Sequence, residues 1–342
     1  MMYAVFQERL LAWFEVHKRD LPWRNTNDPY YIWLSEIILQ QTRVIQGLPY
    51  YEKFIKKYPT LQDLATAPQD EVMKLWEGLG YYSRAKNMLH TAQYIVNYEN
   101  GIFPDSFEKL KQLKGIGDYT AAAIASFAFG EAVAVVDGNV QRVLARWLGI
   151  FEDIKHKKVF QTYANALLNK QNPDLHNQAM MEFGAIQCVP KNPDCKNCVM
   201  QDVCYAYTHD VIEQLPVKAK KPKKPEKNAD FYYIENEYGE VLVKKRENKG
   251  IWANLYEIPN TLDTPLDFLL TGDYLQKGYL KHVFTHFVLH ITWFHHVVQK
   301  QNIVLHNQNW QWVSKTQLSD FGFPVPVQKI IKTLSQTSLT LF

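Results

Sequence analysis

Nowhere among the 342 residues is there an apolar run approaching the roughly 20 residues that a membrane-spanning helix requires. No internal repeat is present, and the only low-complexity tract is a short lysine- and proline-rich segment, so repeat architectures are excluded. The first twenty residues, MMYAVFQERLLAWFEVHKRD, carry acids and read as an amphipathic helix instead of a signal peptide. A cytosolic (cytoplasmic) protein with no membrane partner is therefore expected. Cysteine is absent before residue 188 and after residue 204. The four that exist, Cys188, Cys195, Cys198 and Cys204, share one 17-residue window. So tight a cluster reads as a metal site and not as disulfides. On the residues alone, zinc and an iron–sulfur cluster suit four thiolates equally.

Positive charge is also scarce once it is located. The formal net charge is +3, but Pro216 to Asn228 alone holds six lysines and one glutamate, leaving −2 for everything else. If the folded parts meet a nucleic acid, they must do so with placed donors more than with bulk field.

What remains is an ordinary composition, 46% apolar and 21% charged with 14% aromatic residues, in a chain long enough for two cores. From Met1 to about Asp210 the pattern is helical and no convincing strand appears. Asp28-Pro29 starts a helix that the apolar spacing carries to about Gln46. Thr60 and Ala67-Pro68 open two short ones, and Gly78-Leu79-Gly80 breaks the chain before a long helix over 83–98. Lys218 to Lys227 reads as an extended, charged linker. Beyond it, 231–234, 241–243, 282–298 and 310–313 favour strands. The expected organisation is multidomain: a helical domain (1–215), a Lys/Pro-rich linker (216–229) and an α+β domain (230–342).

Leu113 to Gly149 organises the rest. Gly115-Ile116-Gly117 permits a tight turn with bare N–H groups at the start of an Ala-rich helix, a ready site for a phosphate. Twenty residues after Gly117, Asp137 stands at the start of a second helix, with Val140, Val143, Leu144 and Trp147 on one face. Upstream, Glu36 is surrounded on its helix by Ile32, Trp33, Leu39 and Gln40. Such a carboxyl is poorly hydrated and its pKa should rise, unless it lies on a polar stripe or pairs with Arg24 or Arg43. Together, Glu36 and Asp137 make the acid and the charge-stabilising carboxylate of glycosidic-bond cleavage; alone, Asp137 is equally an ordinary helix cap.

These residues, taken with the cysteines, resemble a known family. Leu113–Gly117 resembles the hairpin of a helix–hairpin–helix module, and Val136-Asp137-Gly138-Asn139-Val140 its downstream catalytic aspartate. Cys188-x6-Cys195-x2-Cys198-x5-Cys204 is similar to the 4Fe–4S loop of the endonuclease III superfamily of DNA glycosylases. Within it, Tyr119 stands where lyase members carry a Schiff-base lysine, which implies a monofunctional hydrolytic enzyme. Trp33-Leu34-Ser35-Glu36, Leu39-Gln40-Gln41-Thr42, Pro22-Trp23-Arg24 and Gly78–Arg84 look like the adenine-DNA glycosylase (MutY) branch. Glu240–Arg246 and Trp252–Pro259 look like the opening of a Nudix fold, but the acidic magnesium-binding helix is missing after Pro259, so the domain reads as a recognition module.

The resemblance implies removal of adenine opposite 8-oxoguanine or guanine in double-stranded DNA, in a nucleoid-associated setting, for which a monomer suffices; the alternatives are an endonuclease III-type glycosylase for thymine or oxidised pyrimidines, and a catalytically silent damage-binding module. It implies Glu36 as acid, Asp137 as stabiliser of the cationic sugar, and Tyr119 and Asn139 as groups that orient them. Asp137 should titrate low, held there by its helix N-terminus, and Glu36 high. Arg24, Gln41, Leu79, Tyr81, Gly115 and Gly117 would contact DNA, Gln41 and Tyr81 as wedges; taken alone, Tyr81 is also a packed tyrosine after a glycine turn. Phe284-Thr285-His286 matches a Phe-Ser-His lesion-checking segment with threonine for serine; by pattern alone it is a half-buried strand.

Overall fold

The computed structural model describes residues 2–219, 222–262, 273–303 and 309–337. Lys220 and Lys221 of the expected linker lie outside the described residues, as does 263–272, part of the stretch that lacks the acidic helix. By packing, the chain divides into two units: Met1–Thr66 with Asn87–Lys221, and Ala67–Lys86 with Pro222–Phe342.

The first unit is helical among its described residues. In chain order come α1 (Met2–His17), α2 (Pro29–Leu39), α3 (Val44–Lys57) and α4 (Leu61–Thr66). After α5 (Gln69–Leu75), which belongs to the second unit, and α6 (Ser83–Tyr98), which runs from the second unit into the first, follow α7 (Phe107–Leu110) and α8 (Asp118–Phe129). The unit ends with α9 (Gly138–Leu148), α10 (Lys157–Leu167), α11 (Pro173–Glu182) and α12 (Tyr205–Thr208). Asp28 caps α2 by accepting from the Tyr30 N–H at 2.8 Å, with Pro29 in the first turn.

The helix expected to reach Gln46 stops at Leu39. Gln40 turns extended (ψ 116) and Gln41 takes φ 56, so the ladder is broken before α3 restarts at Val44. The core of the unit gathers Phe6, Leu10, Trp13 and Phe14 of α1 with Val143, Leu144 and Trp147 of α9 and Phe160 of α10. In α8, Ala121 to Ala125 are all at most 3% exposed. The four alanines among them let the α8 backbone pack close to α2, the helix that carries Glu36.

The second unit holds a mixed sheet: β1 (Glu226–Asn236), β2 (Glu240–Lys245), β3 (Tyr256–Glu257), β4 (Gln276–Val283), β5 (Val288–Val298) and β6 (Trp310–Ser314). The order is β3-β2-β1-β5-β4, with β6 also on β2. β1 and β5 run parallel, in register Phe231↔Trp293. Phe231, Tyr233, Leu289, Ile291 and Trp293 form one face, packed with Val327, Ile330 and Leu334 of α13 (Val325–Thr337). Two expectations change here. The end of the expected linker is already strand, because β1 pairs with β5 from Glu226 onward. The strand expected over 282–298 is two strands, since the Phe284 N–H bonds the Phe287 carbonyl at 2.9 Å and reverses the chain.

Ala67–Lys86 joins this unit and not the helical one. Lys74 Nζ donates to the Phe321 carbonyl at 3.1 Å, and the Phe323 N–H donates to Glu77 at 2.9 Å. No helix among the described residues is long and apolar enough to cross a membrane.

Candidate active site

Glu36 on α2, Tyr119 on α8, Asp137 at the start of α9 and the Gly115–Gly117 turn all line one cleft of the helical unit, about 980 Å³ in volume. Glu36 is only 6% exposed, and the Tyr119 hydroxyl donates a hydrogen bond to it. Burial raises the Glu36 carboxyl to about 7; the Tyr119 hydrogen bond opposes this, the nearby Asp137 charge adds to it, and Arg24 opposes it. Burial also pushes the Tyr119 hydroxyl well above its ordinary value, so it stays a donor.

Asp137 is the N-cap of α9. One carboxylate oxygen accepts from the Asn139 and Val140 N–H groups, both at 2.8 Å, and the other from Asn139 Nδ2 at 2.8 Å. The expectation that this cap holds Asp137 low is corrected. Loss of hydration in the cleft wall outweighs the three hydrogen bonds and leaves its pKa raised, even though part of its surface faces the cleft. Both carboxyls are thus displaced upward, by the same cause.

The hairpin between α7 and α8 is fixed from inside. Gly115 has φ +81, and a Cβ there would come 2.8 Å from Asn87 Cβ, so the turn requires glycine. Thr91 Oγ1 donates to the Lys114 carbonyl at 2.7 Å. Gly117 is the N-cap of α8 in extended conformation, and a Cβ there would meet nothing within 4 Å. Its freedom is therefore not needed for the turn, contrary to the sequence reading, and leaves an uncapped helix start facing the cleft. Gln41 is exposed at the cleft rim with its left-handed backbone.

Arg24 is not among the cleft-lining residues. Its guanidinium donates to Glu182 at 2.9 Å and to the Arg19 carbonyl at 3.0 Å. Glu182, 1% exposed, also takes two bonds from the Arg19 guanidinium, at 2.7 and 2.5 Å. Burial alone would raise Glu182, but the Arg19 and Arg24 hydrogen bonds prevail and hold it at about 2. Arg24 thus serves an internal ion pair and the field at Glu36.

Cys188, Cys195, Cys198 and Cys204 line one small cavity with Phe6, Trp147 and Phe183 as apolar wall. Arg146 Nη1 lies 3.5 Å from Cys188 Sγ and the Met200 N–H 3.4 Å from Cys198 Sγ, donors suited to thiolates. Among the described residues, no three His, Cys, Asp or Glu side chains are gathered to hold a single metal ion. Arg142 and Arg146, which the sequence reading passed over, tie α9 to this loop. Arg142 donates to the Cys188 carbonyl (2.7 Å), the Gly184 carbonyl (2.6 Å) and Asn139 Oδ1 (2.9 Å). Arg146 donates to the Val189, Pro190 and Leu215 carbonyls at 2.7, 3.1 and 3.0 Å. Their signal was two arginines four apart, on one side of a helix whose apolar face is Val140, Val143, Leu144 and Trp147.

In the second unit, Tyr81 is 45% exposed with φ 48, an uncommon backbone for an aromatic residue. Arg84 lies under its ring, 5.7 Å from the centroid, and donates to the Gly80 carbonyl at 3.2 Å. Leu79 is half-buried in the same turn. Thr285 and His286 are the exposed tip of the β4–β5 turn, not part of a strand, while Phe284 stacks on Phe287 at 4.3 Å. Thr285 Oγ1 donates to the Tyr81 hydroxyl at 3.4 Å, so the two candidate DNA-contact segments of this unit meet.

Residues 34–168 match the HhH-GPD superfamily of base excision DNA repair proteins, and 231–333 match the NUDIX domain. The chain is 32% identical to an adenine DNA glycosylase of Buchnera aphidicola subsp. Baizongia pistaciae over 98% of both chains. It is 43% identical to the human adenine DNA glycosylase over 62% of this chain and 41% of that one. A thermostable thymine-DNA glycosylase superposes on 60% of this chain and 97% of its own, with TM-score 0.57 and 32% identity. An endonuclease III–DNA complex (TM-score 0.51, 20% identity, 60% of this chain and 94% of that one) shares the fold of the helical part. Matched across both units, the chain belongs to the adenine DNA glycosylase family.

Proposed function

We propose that this chain hydrolyses the N-glycosidic bond of adenine mispaired with 8-oxoguanine or guanine in duplex DNA, leaving an abasic site for base excision repair. The observation that carries the reading is Glu36 and Asp137 lining one cleft, near enough for the Asp137 charge to act on Glu36, with Tyr119 bonded to Glu36. Adenine must first leave the base stack, at a cost of a few kcal/mol. Gln41, Tyr81 and Leu79 supply planar or apolar surface for this, and the two left-handed backbones support a wedge role for Gln41 and Tyr81. Backbone N–H groups after Gly115 and Gly117 take a phosphate.

Glu36, protonated near neutral pH, gives its proton to N7 of adenine. The N9–C1′ bond breaks with its electron pair going to the base. Asp137, held by Asn139, faces the positive sugar as carboxylate or as transient covalent partner. Glu36, now ionised, takes a proton from water as the water oxygen bonds to C1′. With Tyr119 in place of a lysine amine, no Schiff base forms and the strand is not cut.

Cys188, Cys195, Cys198 and Cys204 would hold one 4Fe–4S cluster. Their four thiols line one cavity, where the Arg146 guanidinium and the Met200 N–H stand as donors to the sulfurs. When bound, it supplies a thiolate crosslink to the loop that Arg142 and Arg146 already grip. Thr285, with the hydroxyl of serine and one more methyl, and His286 check the base opposite adenine, with Phe284 as their anchor. A monomer suffices, and the cytosolic, nucleoid-associated setting follows from DNA as substrate. A thymine or oxidised-pyrimidine specificity is less well supported, since the thymine-DNA glycosylase likeness covers only 60% of this chain.

The test is incubation with duplexes holding adenine opposite 8-oxoguanine, guanine or thymine, followed by alkali. Strand breaks are expected for the first two and only after alkali; breakage without alkali would identify a lyase. A second expectation concerns pH. Because Glu36 must carry its proton and is held at about 7, kcat/KM should fall about tenfold per unit above that pH. A flat profile to pH 9 would rule out Glu36 as the acid.

A further inference from the structure

Lys111 and Asp118 stand at the cleft beside the hairpin glycines. Lys111 Nζ lies 2.9 Å from Asp118 Oδ1, with the side chains 37% and 79% exposed. Asp118 is the first residue of α8, whose N-cap makes no side-chain hydrogen bond. That helix start is where a DNA phosphate is expected, so Asp118 sets a negative charge beside an anion's seat and occupies a neighbouring cation.

An ion pair this exposed contributes little to stability, so the fold does not need it. The Lys111 ammonium also lies 5.0 Å above the Phe107 ring, which positions it without help from Asp118. What the carboxylate does change is the approach of DNA. We infer that Asp118 limits DNA affinity by holding Lys111 in an ion pair that an incoming phosphate must replace and that re-forms when the abasic product leaves. This rests on the glycosylase reading, and makes Asp118 a residue that trades tightness of binding for release of product.

Two unit charges about 6 Å apart in a water-like medium alter binding roughly threefold, and more where the surface lowers the dielectric. Freeing Lys111 also adds about one phosphate contact to the salt dependence. The experiment measures binding of the full chain to a duplex with adenine opposite 8-oxoguanine, and to its abasic product, across salt concentrations. Asp118→Asn is expected to bind both roughly three- to tenfold tighter, with the salt slope steeper by about one unit. Lys111→Ala should bind more weakly with a shallower slope, and adding Asp118→Asn to it should leave that slope unchanged.

In single-turnover kinetics Asp118→Asn should need less enzyme for half-saturation and reach the same plateau rate, while steady-state turnover slows. Asp118→Ala should act in the same direction, which guards against a folding artefact of one variant. Unchanged or weaker binding by both variants overturns the inference, as does the same slope gain without Lys111. Failure of the wild type to release adenine from any duplex would instead overturn the glycosylase reading.

Discussion

Glu36→Gln is expected to lower the single-turnover rate of adenine release roughly 10²–10⁴-fold, with duplex affinity within a fewfold of wild type. Glutamine fills the same buried space beside Tyr119 but has no proton to give to N7. Asp137→Asn should lose at least as much, because a neutral amide cannot offset the charge on C1′. Asn139 Nδ2, a donor, would also face an amide where it now meets a carboxylate oxygen. Retained turnover in either variant removes that carboxylate from the scheme.

Glu36→Gln carries a second signature. In the fold Glu36 keeps its proton to about 7, against an ordinary value of 4.5, so wild-type stability falls as pH rises through that window. The variant escapes the loss and should be more stable at pH 8 by roughly 3 kcal/mol. Urea unfolding at pH 4 and pH 8 separates this from a general stabilisation, which would be present at both.

Glu182→Gln is expected to destabilise the helical unit by about 3 kcal/mol. The carboxylate is 1% exposed and the Arg24 side chain 15%, so the charge left on Arg24 cannot simply return to water. The Arg19 side chain is 38% exposed and recovers part of its hydration, which keeps the loss at the lower end for a buried pair. Glu182 is held at about 2, so the wild-type contribution persists through neutral pH and is lost only as pH falls from about 4.5 toward 2. A denaturation midpoint unchanged at pH 7 would contradict this account. A shift in the alkaline limb of base release would follow from the altered field of Arg24 at Glu36.

Several parts of this molecule were legible from residue order. Asp28-Pro29 and Asp137-Gly138-Asn139 are local caps whose hydrogen bonds close within three residues, so their helices could be read without the fold. The Ala-rich apolar run after Gly117 and the aromatic, β-branched stretch 231–234 are matters of local composition, and both are largely buried in the fold. The cysteine window and the absence of any long apolar run are likewise matters of spacing.

Tertiary structure decided the rest. That Arg24 faces Glu182, 158 residues away, and not the cleft, depends on packing that no local window contains. So does the upward shift of Asp137, because its cap was visible in sequence but the depth of its burial was not. The break at Gln40–Gln41 and the turn at Thr285–His286 interrupt periodic patterns that continue across them. Local geometry and spacing were thus enough to mark out candidate groups from the sequence. Only the assembled fold decided which of them share a cleft and in which protonation state, because hydration and long-range charge pairing belong to neighbours distant along the chain.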